Sequence, residues 1–239
     1  VILGFSDARI TVAKRGDASV TEQGKLCQTL GERIAPKVVQ FLEDGYEMEM
    51  LRQPPGRGVA QLYAVYHKLS VLVWTKPSVY WDDSWLTPLR TWARLSARWL
   101  DDLIVELYPT EPMTGYTLIH GDPCMSNVMY RGDELIITDP MPRMQYRREI
   151  PCRPEVDWGK LVQSTMGWEY MLGCPDGIFG HPEHVLDRLE SRRDKRLALL
   201  WGAIHAGRVA RRAPGKGRED IKQWGETTSR RLGDMCSRL

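Results

Sequence analysis

Apolar and polar positions alternate early in the chain and settle into helical spacing later. Val1–Phe5 is a short apolar run, and Ser6-Asp7-Ala8 reads as a turn. Residues 9–14, RITVAK, are rich in β-branched side chains and place Ile10, Val12 and Lys14 on one face, as a strand would. Gly16-Asp17 ends that run. Ser19 or Thr21 then stands where a helix N-cap is expected, and Leu26, Leu30 and Ile34 follow at helical spacing to about Arg33. Two further strand-like runs, 37–42 and 46–51, are joined by Glu43-Asp44-Gly45, a good hairpin turn.

The sharpest break is Gln53-Pro54-Pro55-Gly56-Arg57-Gly58, a composition that suits a crossing between two parts of a fold. Beyond it the pattern predicts a helix over 59–73 and a second over 84–108. The second carries Trp85, Leu89, Trp92, Leu95, Trp99 and Leu103 along one stripe, read here as core. Residues 116–139 return to strand character as YTLIH, NVMYR and ELIITD, with Arg131-Gly132-Asp133 as a turn. Residues 140–154 hold four prolines and several arginines and read as an irregular loop. From about Glu155 the chain is helical again, with breaks near 173–181 and 213–217. It ends in an amphipathic segment presenting Ile221, Trp224, Leu232, Met235 and Leu239. The predicted order is a small β-rich part (1–52), a crossing (53–58) and a larger helical part (59–239).

Composition narrows the class. A chain of 239 residues can bury a core without covalent staples. With 42% hydrophobic and 27% charged residues, disorder and low complexity are excluded as its main character. Five cysteines, widely spaced and without a CxxC, argue against a disulfide framework or a zinc site, and for a reducing, cytoplasmic setting. There is no apolar run of membrane-spanning length and no secretory leader pattern. The net charge of +2 hides an asymmetry: residues 181–239 carry 14 basic and 8 acidic side chains, and the rest of the chain is net acidic. A mildly basic helical surface of this kind gives no argument for nucleic acid or membrane as a partner. Nothing in the pattern fixes an oligomeric state.

Chemistry concentrates between His120 and Asp139, HGDPCMSNVMYRGDELIITD. Asp122, Asn127 and Asp139 are polar residues set among apolar strands. The hairpin 127–139 folds back so that Asp139 returns beside Asn127. A carboxylate beside a carboxamide offers hard oxygen ligands of the kind Mg²⁺ takes together with substrate phosphates and water. Asp122, a few residues away, is suited to accept a proton from an attacking hydroxyl.

This HGDxxxxN segment, followed by a strand-terminal Asp twelve residues on, resembles the kinase-like phosphotransferases, in particular the aminoglycoside phosphotransferase and choline kinase group. Gly121 in the middle of the motif, and Thr138-Asp139-Pro140 at its end, look like the small-molecule branch. The resemblance implies an α+β, two-lobed protein-kinase-like fold with a small β-rich lobe and a larger helical lobe. It implies ATP and Mg²⁺ as cofactors and a hydroxyl-bearing small molecule as acceptor. Asp122 would be the catalytic base, His120 the organiser of its loop, and Asn127 and Asp139 the metal ligands. Lys14 matches the strand lysine that meets the α- and β-phosphates, with Glu22 as its partner and Glu32 as a rival. The backbone of Glu49, Met50 and Leu51 would serve the adenine. Asp157, in a D-x-x-K-L segment, would brace the catalytic loop through its backbone. Trp158, Trp168, Glu169 and Tyr170 stand equally well as acceptor-pocket walls or as core. One departure is plain: no glycine-rich phosphate loop precedes Lys14, so the small lobe is either naturally reduced or incomplete in this chain. A catalytically weak or inactive kinase-like binding or scaffold protein is the alternative that this departure favours.

Overall fold

A computed structural model describes residues 2–6, 9–54, 56–76, 90, 93–94, 97–108, 117–141, 153–174, 176–213 and 217–239, with residues 2–6, 9 and 10 described by backbone. Its first part is a four-stranded antiparallel sheet. Strands β1 (Ile2–Ser6), β2 (Arg9–Arg15), β3 (Val38–Leu42) and β4 (Gly45–Glu49) lie in the order β1-β2-β4-β3. Helix α1 (Ala18–Leu30) connects β2 to β3 and packs on β3 and β4. Gly24 makes that contact close, because a Cβ there would stand 2.9 Å from both Phe41 and Tyr46. The cap of α1 is Asp17, whose carboxylate accepts the Ser19 N–H at 2.9 Å, rather than Ser19 or Thr21. β4 ends at Glu49, so Met50 and Leu51 leave the sheet and lead into the Pro/Gly crossing.

The remainder is mostly helical, so the molecule is a mixed α+β fold with a small sheet region. Helix α2 (Val59–Leu72) follows the crossing as the periodicity predicts. The second long helix differs. Arg90, Ala93 and Arg94 are helical, and after the extended Ala97 a separate helix begins, α3 (Arg98–Leu107). The break has a physical partner. Asp101 in the first turn of α3 takes the guanidinium groups of Arg90 at 2.8 Å and Arg94 at 2.6 Å, tying the preceding segment back onto the new helix start. Trp85, Leu89, Trp92 and Leu95 lie outside the described residues. Leu103 is core, and Trp99 packs against Gly233. The expected strand YTLIH is not one over residues 118–120, which run irregularly into the loop at His120.

Beyond a 3₁₀ turn, Met125–Asn127, strands β5 (Val128–Arg131) and β6 (Glu134–Ile137) form the expected hairpin. Gly132 supplies its positive φ of 57°. The 140–154 loop falls largely outside the described residues. The helices that follow are α4 (Pro154–Thr165), α5 (Trp168–Met171), α6 (Glu183–Leu186), α7 (Arg192–Arg212) and α8 (Glu219–Arg238). α4 is buried along nearly its whole length, and α7 packs against both α4 and α8. Trp201 on α7 is fully buried and donates its indole N–H to the Tyr108 hydroxyl at 2.5 Å. Gly159 lets α4 lie directly on this part of α7. Of the final amphipathic stripe, Ile221 and Leu232 are buried, and Trp224, Met235 and Leu239 pack partly buried against the core.

Candidate active site

The β5–β6 hairpin does what its sequence suggests. Val128 pairs with Ile137, and Thr138 donates its backbone N–H to the Asn127 carbonyl at 2.7 Å and its hydroxyl to the same oxygen at 3.0 Å. Asn127 and Asp139 are thereby held across one strand end. Asp139 has a φ of 57°, the only positive value among described non-glycine residues. Aspartate tolerates this left-handed conformation better than most, and strained backbone of this kind concentrates at functional sites.

The loop from His120 to Asn127 is fixed from several sides. Asp157 at the start of α4 accepts the backbone N–H of His120 at 2.9 Å and of Gly121 at 2.7 Å, and the Trp74 indole N–H at 3.0 Å. Burial pushes its carboxyl up to about 6, against the pull of those three donors. Gly121 has a φ of +83°, and a Cβ there would stand 3.0 Å from Met141. That combination leaves little room for any other residue. His120 is fully buried. Its Nδ1 accepts the Asp122 N–H at 3.3 Å, so Nε2 carries the proton and donates to the Ile137 carbonyl at 3.3 Å. Burial pushes its pKa down to about 4, with Asp122 opposing, and the ring stays neutral. His120 thus ties the loop to the end of β6.

Asp122 itself receives the Asn127 side-chain amide on Oδ2 at 3.3 Å, and Asn127 also donates to its carbonyl at 2.9 Å. With Nδ2 so engaged, the amide oxygen of Asn127 is its remaining ligand atom. The ammonium of Lys160 lies 2.9 Å from Asp122 Oδ1, within ion-pair reach but off the direction of a hydrogen bond.

From the sheet, Lys14 forms an ion pair with Asp139 Oδ1 and donates to Gln23 Oε1 at 2.8 Å. The expected Glu22–Lys14 pair is not formed. Glu22 binds Lys25 at 2.8 Å along the outer face of α1, and Glu32 lies beside Lys37 at 3.4 Å. One residue on a helix turns the side chain by about 100°. The phase of α1 therefore puts Gln23 inward, where its amide also donates to the Pro140 carbonyl at 3.0 Å.

The segment expected to serve adenine through its backbone lies at the end of β4. Glu49, Met50 and Leu51 help line a groove of about 800 Å³ with Thr11, Lys37 and Val39. In the strand register Lys14 faces Tyr46 and Thr11 faces Glu49, so Lys14 and Glu49 point to opposite sides of the sheet. Glu49 is moreover occupied. Its carboxylate takes the Arg131 guanidinium and the Lys37 N–H, which hold it below the usual range despite burial, and its own N–H goes to the Lys37 carbonyl. Arg52 is bridged to Tyr130 through both backbone groups.

The donor set suits Mg²⁺. The Asn127 amide oxygen and the Asp139 carboxylate are hard ligands, and one or two such groups plus phosphates and water are what this ion takes. Among the described residues no group of three or more His, Cys, Asp or Glu gathers as a closed metal site.

The sequence assigns no role to Gln23 or Lys160, and it places Glu169 only as a pocket wall or core. Gln23 was hidden by helix phase. Lys160 stands three residues after Asp157, and that spacing was its available signal. Glu169 has no local signature. It is buried, accepts the Ser126 N–H at 3.1 Å and the Ser164 hydroxyl at 2.9 Å, and Ser164 in turn accepts the Met125 N–H at 3.1 Å. Together they clasp the 3₁₀ turn that presents Asn127. Of the other proposed pocket walls, Trp158 packs partly buried on the core, Trp168 stacks near Trp224, and Tyr170 is exposed.

No protein-family model matches the chain, and no curated protein matches it. Among solved structures, the crystal structure of a "putative aminoglycoside phosphotransferase" from Ralstonia eutropha JMP134 matches with a TM-score of 0.48 and 17% identity, over 93% of this chain and 86% of that one. That likeness is loose, and the functional reading rests on the site itself.

Proposed function

We propose that this chain is a phosphotransferase that moves the γ-phosphoryl group of MgATP to a hydroxyl of a small molecule, such as an aminoglycoside-like sugar, an amino alcohol or a related polar metabolite. The observation that carries this reading is the convergence of Asp122, Asn127, Asp139 and Lys14 from three separate elements. Asn127 and Asp139 would hold Mg²⁺, which supplies charge neutralisation at the phosphates. Lys14 sits on Asp139, where it can meet the same phosphates. Asp122 takes the proton as the acceptor O–H breaks and the new P–O bond forms, and ADP leaves. Catalysis of this kind is positioning and electrostatics more than covalent chemistry.

A second reading, a kinase-like binding protein with little activity, draws support from the sequence before Lys14, which carries no glycine-rich phosphate loop. A screen of hydroxylated metabolites and aminoglycosides for ATP turnover separates the two, with Asp122→Asn as the blank. Phosphotransfer predicts at least one acceptor whose turnover falls by about 10²–10⁴-fold in Asp122→Asn, the range of general-base catalysis. Equal rates in the two proteins with every acceptor would favour the binding protein.

A further inference from the structure

Resting on the phosphotransferase reading, we propose that Lys160 is a positioning residue for Asp122, acting by holding its carboxylate toward the acceptor. A base in a loop must be aimed as well as present. Two contacts aim Asp122. One is the Asn127 amide, 3.3 Å from Oδ2, which is long for a hydrogen bond. The other is the Lys160 ammonium, 2.9 Å from Oδ1. The charged contact is the shorter of the two and acts as an ion pair on Oδ1, an oxygen with no hydrogen-bond donor of its own among the described residues.

Lys160 is itself rigidly placed. Its side chain is only 10% exposed, against 21% for Asp122. It stands one helical turn beyond Asp157 on α4, so the two project from the same face. α4 therefore grips the loop twice, its backbone through Asp157 and its carboxylate through Lys160. The ammonium shares its surroundings with another cation, Arg208, and with the neutral ring of His205. Lys160 and Arg208 both lie near enough to His205 to add to the effect of burial in keeping that imidazole neutral. An ammonium buried in such company is costly to place, whereas a Met or Leu would fill the same space without charge. Its bond to Asp122 is what the cost sustains.

The test is a double-mutant cycle with Lys160→Met and Asp122→Asn, read in two ways. The first is phosphate release from MgATP with water as acceptor. The expected result is that Lys160→Met lowers release by about 10–100-fold with KM for MgATP changed less than roughly twofold, and causes no further loss in the Asp122→Asn background. Lys160→Arg restores part of the rate, and it carries the same comparison if Lys160→Met does not fold. The second reading is the thermal midpoint. Lys160→Met loses roughly 2–8 °C by leaving a partly buried carboxylate without its cation, and the double variant recovers much of it. An equal fold-loss from Lys160→Met in both backgrounds, or a raised KM with kcat unchanged, would overturn the positioning role. If wild type turns over MgATP no faster than Asp122→Asn with water and with every acceptor of the screen, the phosphotransferase reading falls and this role falls with it, while thermal coupling still reports the ion pair.

Discussion

The contact between α4 and α7 offers a sharp test of how the site is held, through Gly159→Ala. A Cβ at residue 159 would stand 2.3 Å from Trp201 Cβ, 2.6 Å from the Trp201 carbonyl carbon and 2.7 Å from the Gly202 nitrogen. Ordinary contact begins at 3.4 Å, so the helices must part by about 1 Å. Two of the three atoms are backbone and cannot swing aside. Trp201 is fully buried, with its indole committed to Tyr108. Overpacking of this kind costs about 1–3 kcal/mol, and backbone contact puts this case at the upper end. Alanine's better helix propensity returns about 1 kcal/mol. The net loss is about 2 kcal/mol, a fall of about 4–8 °C in Tm for a chain of this size. Because Asp157 and Lys160 flank Gly159 on α4, the same displacement moves the His120–Asp122 loop, and a shift near 1 Å lowers turnover by about 10²-fold. Urea unfolding with a Tm measurement checks the stability, and MgATP turnover checks the loop. A Gly159→Ala protein more stable than wild type would show propensity acting alone and would refute the close packing of α4 on α7.

Two further outcomes follow from buried groups around the loop. Glu169→Ala strands the Ser126 N–H and costs about 1–3 kcal/mol. It also raises the Mg²⁺ concentration needed for half-maximal turnover, whereas Glu169→Gln keeps the accepting oxygen and most of the function; Mg²⁺ titrations of both variants check this. Burial lowers His120 to about 4, so its contribution to stability is complete above pH 6.5 and is lost as pH falls from there to 4, about 3 kcal/mol in all. Asp157, raised to about 6, acts oppositely: the folded state gains about 3 kcal/mol as pH falls from 6 to about 4. Asp157→Asn removes that offset, so its urea midpoint declines more steeply than wild type between pH 6.5 and 4; parallel curves would contradict the assignment.

Much of the fold was legible because it depends on local pattern. α2 and the β5–β6 hairpin follow from turn chemistry and apolar spacing within short windows. The break at Ala97 did not, since no Gly or Pro marks it, and the ion pairs that span it join Asp101 to residues 7 and 11 positions earlier. In the site, HGDxxxxN and the strand-terminal Asp named the residues that converge. The partner of Lys14 was off by one residue because the phase of α1 is set by packing on Phe41 and Tyr46, which the sequence of the helix does not encode locally. Lys160, Ser164 and Glu169 reach the loop across 38 or more residues of chain, and only the docking of α4 and α5 brings them there. The placement of Glu49 across the sheet from Lys14 follows from strand register, which a three-residue offset already determines.

The central claim is that Asp139 and Asn127 form a Mg²⁺-dependent nucleotide site beside Asp122. Calorimetric titration with the non-hydrolysable analogue AMP-PNP, with and without Mg²⁺, on wild type and Asp139→Asn tests it most directly. The account predicts binding to wild type that weakens at least about tenfold, some 1.4 kcal/mol, when either Mg²⁺ or the Asp139 carboxylate is removed. Binding that is absent in wild type, or unchanged by both removals, would contradict it.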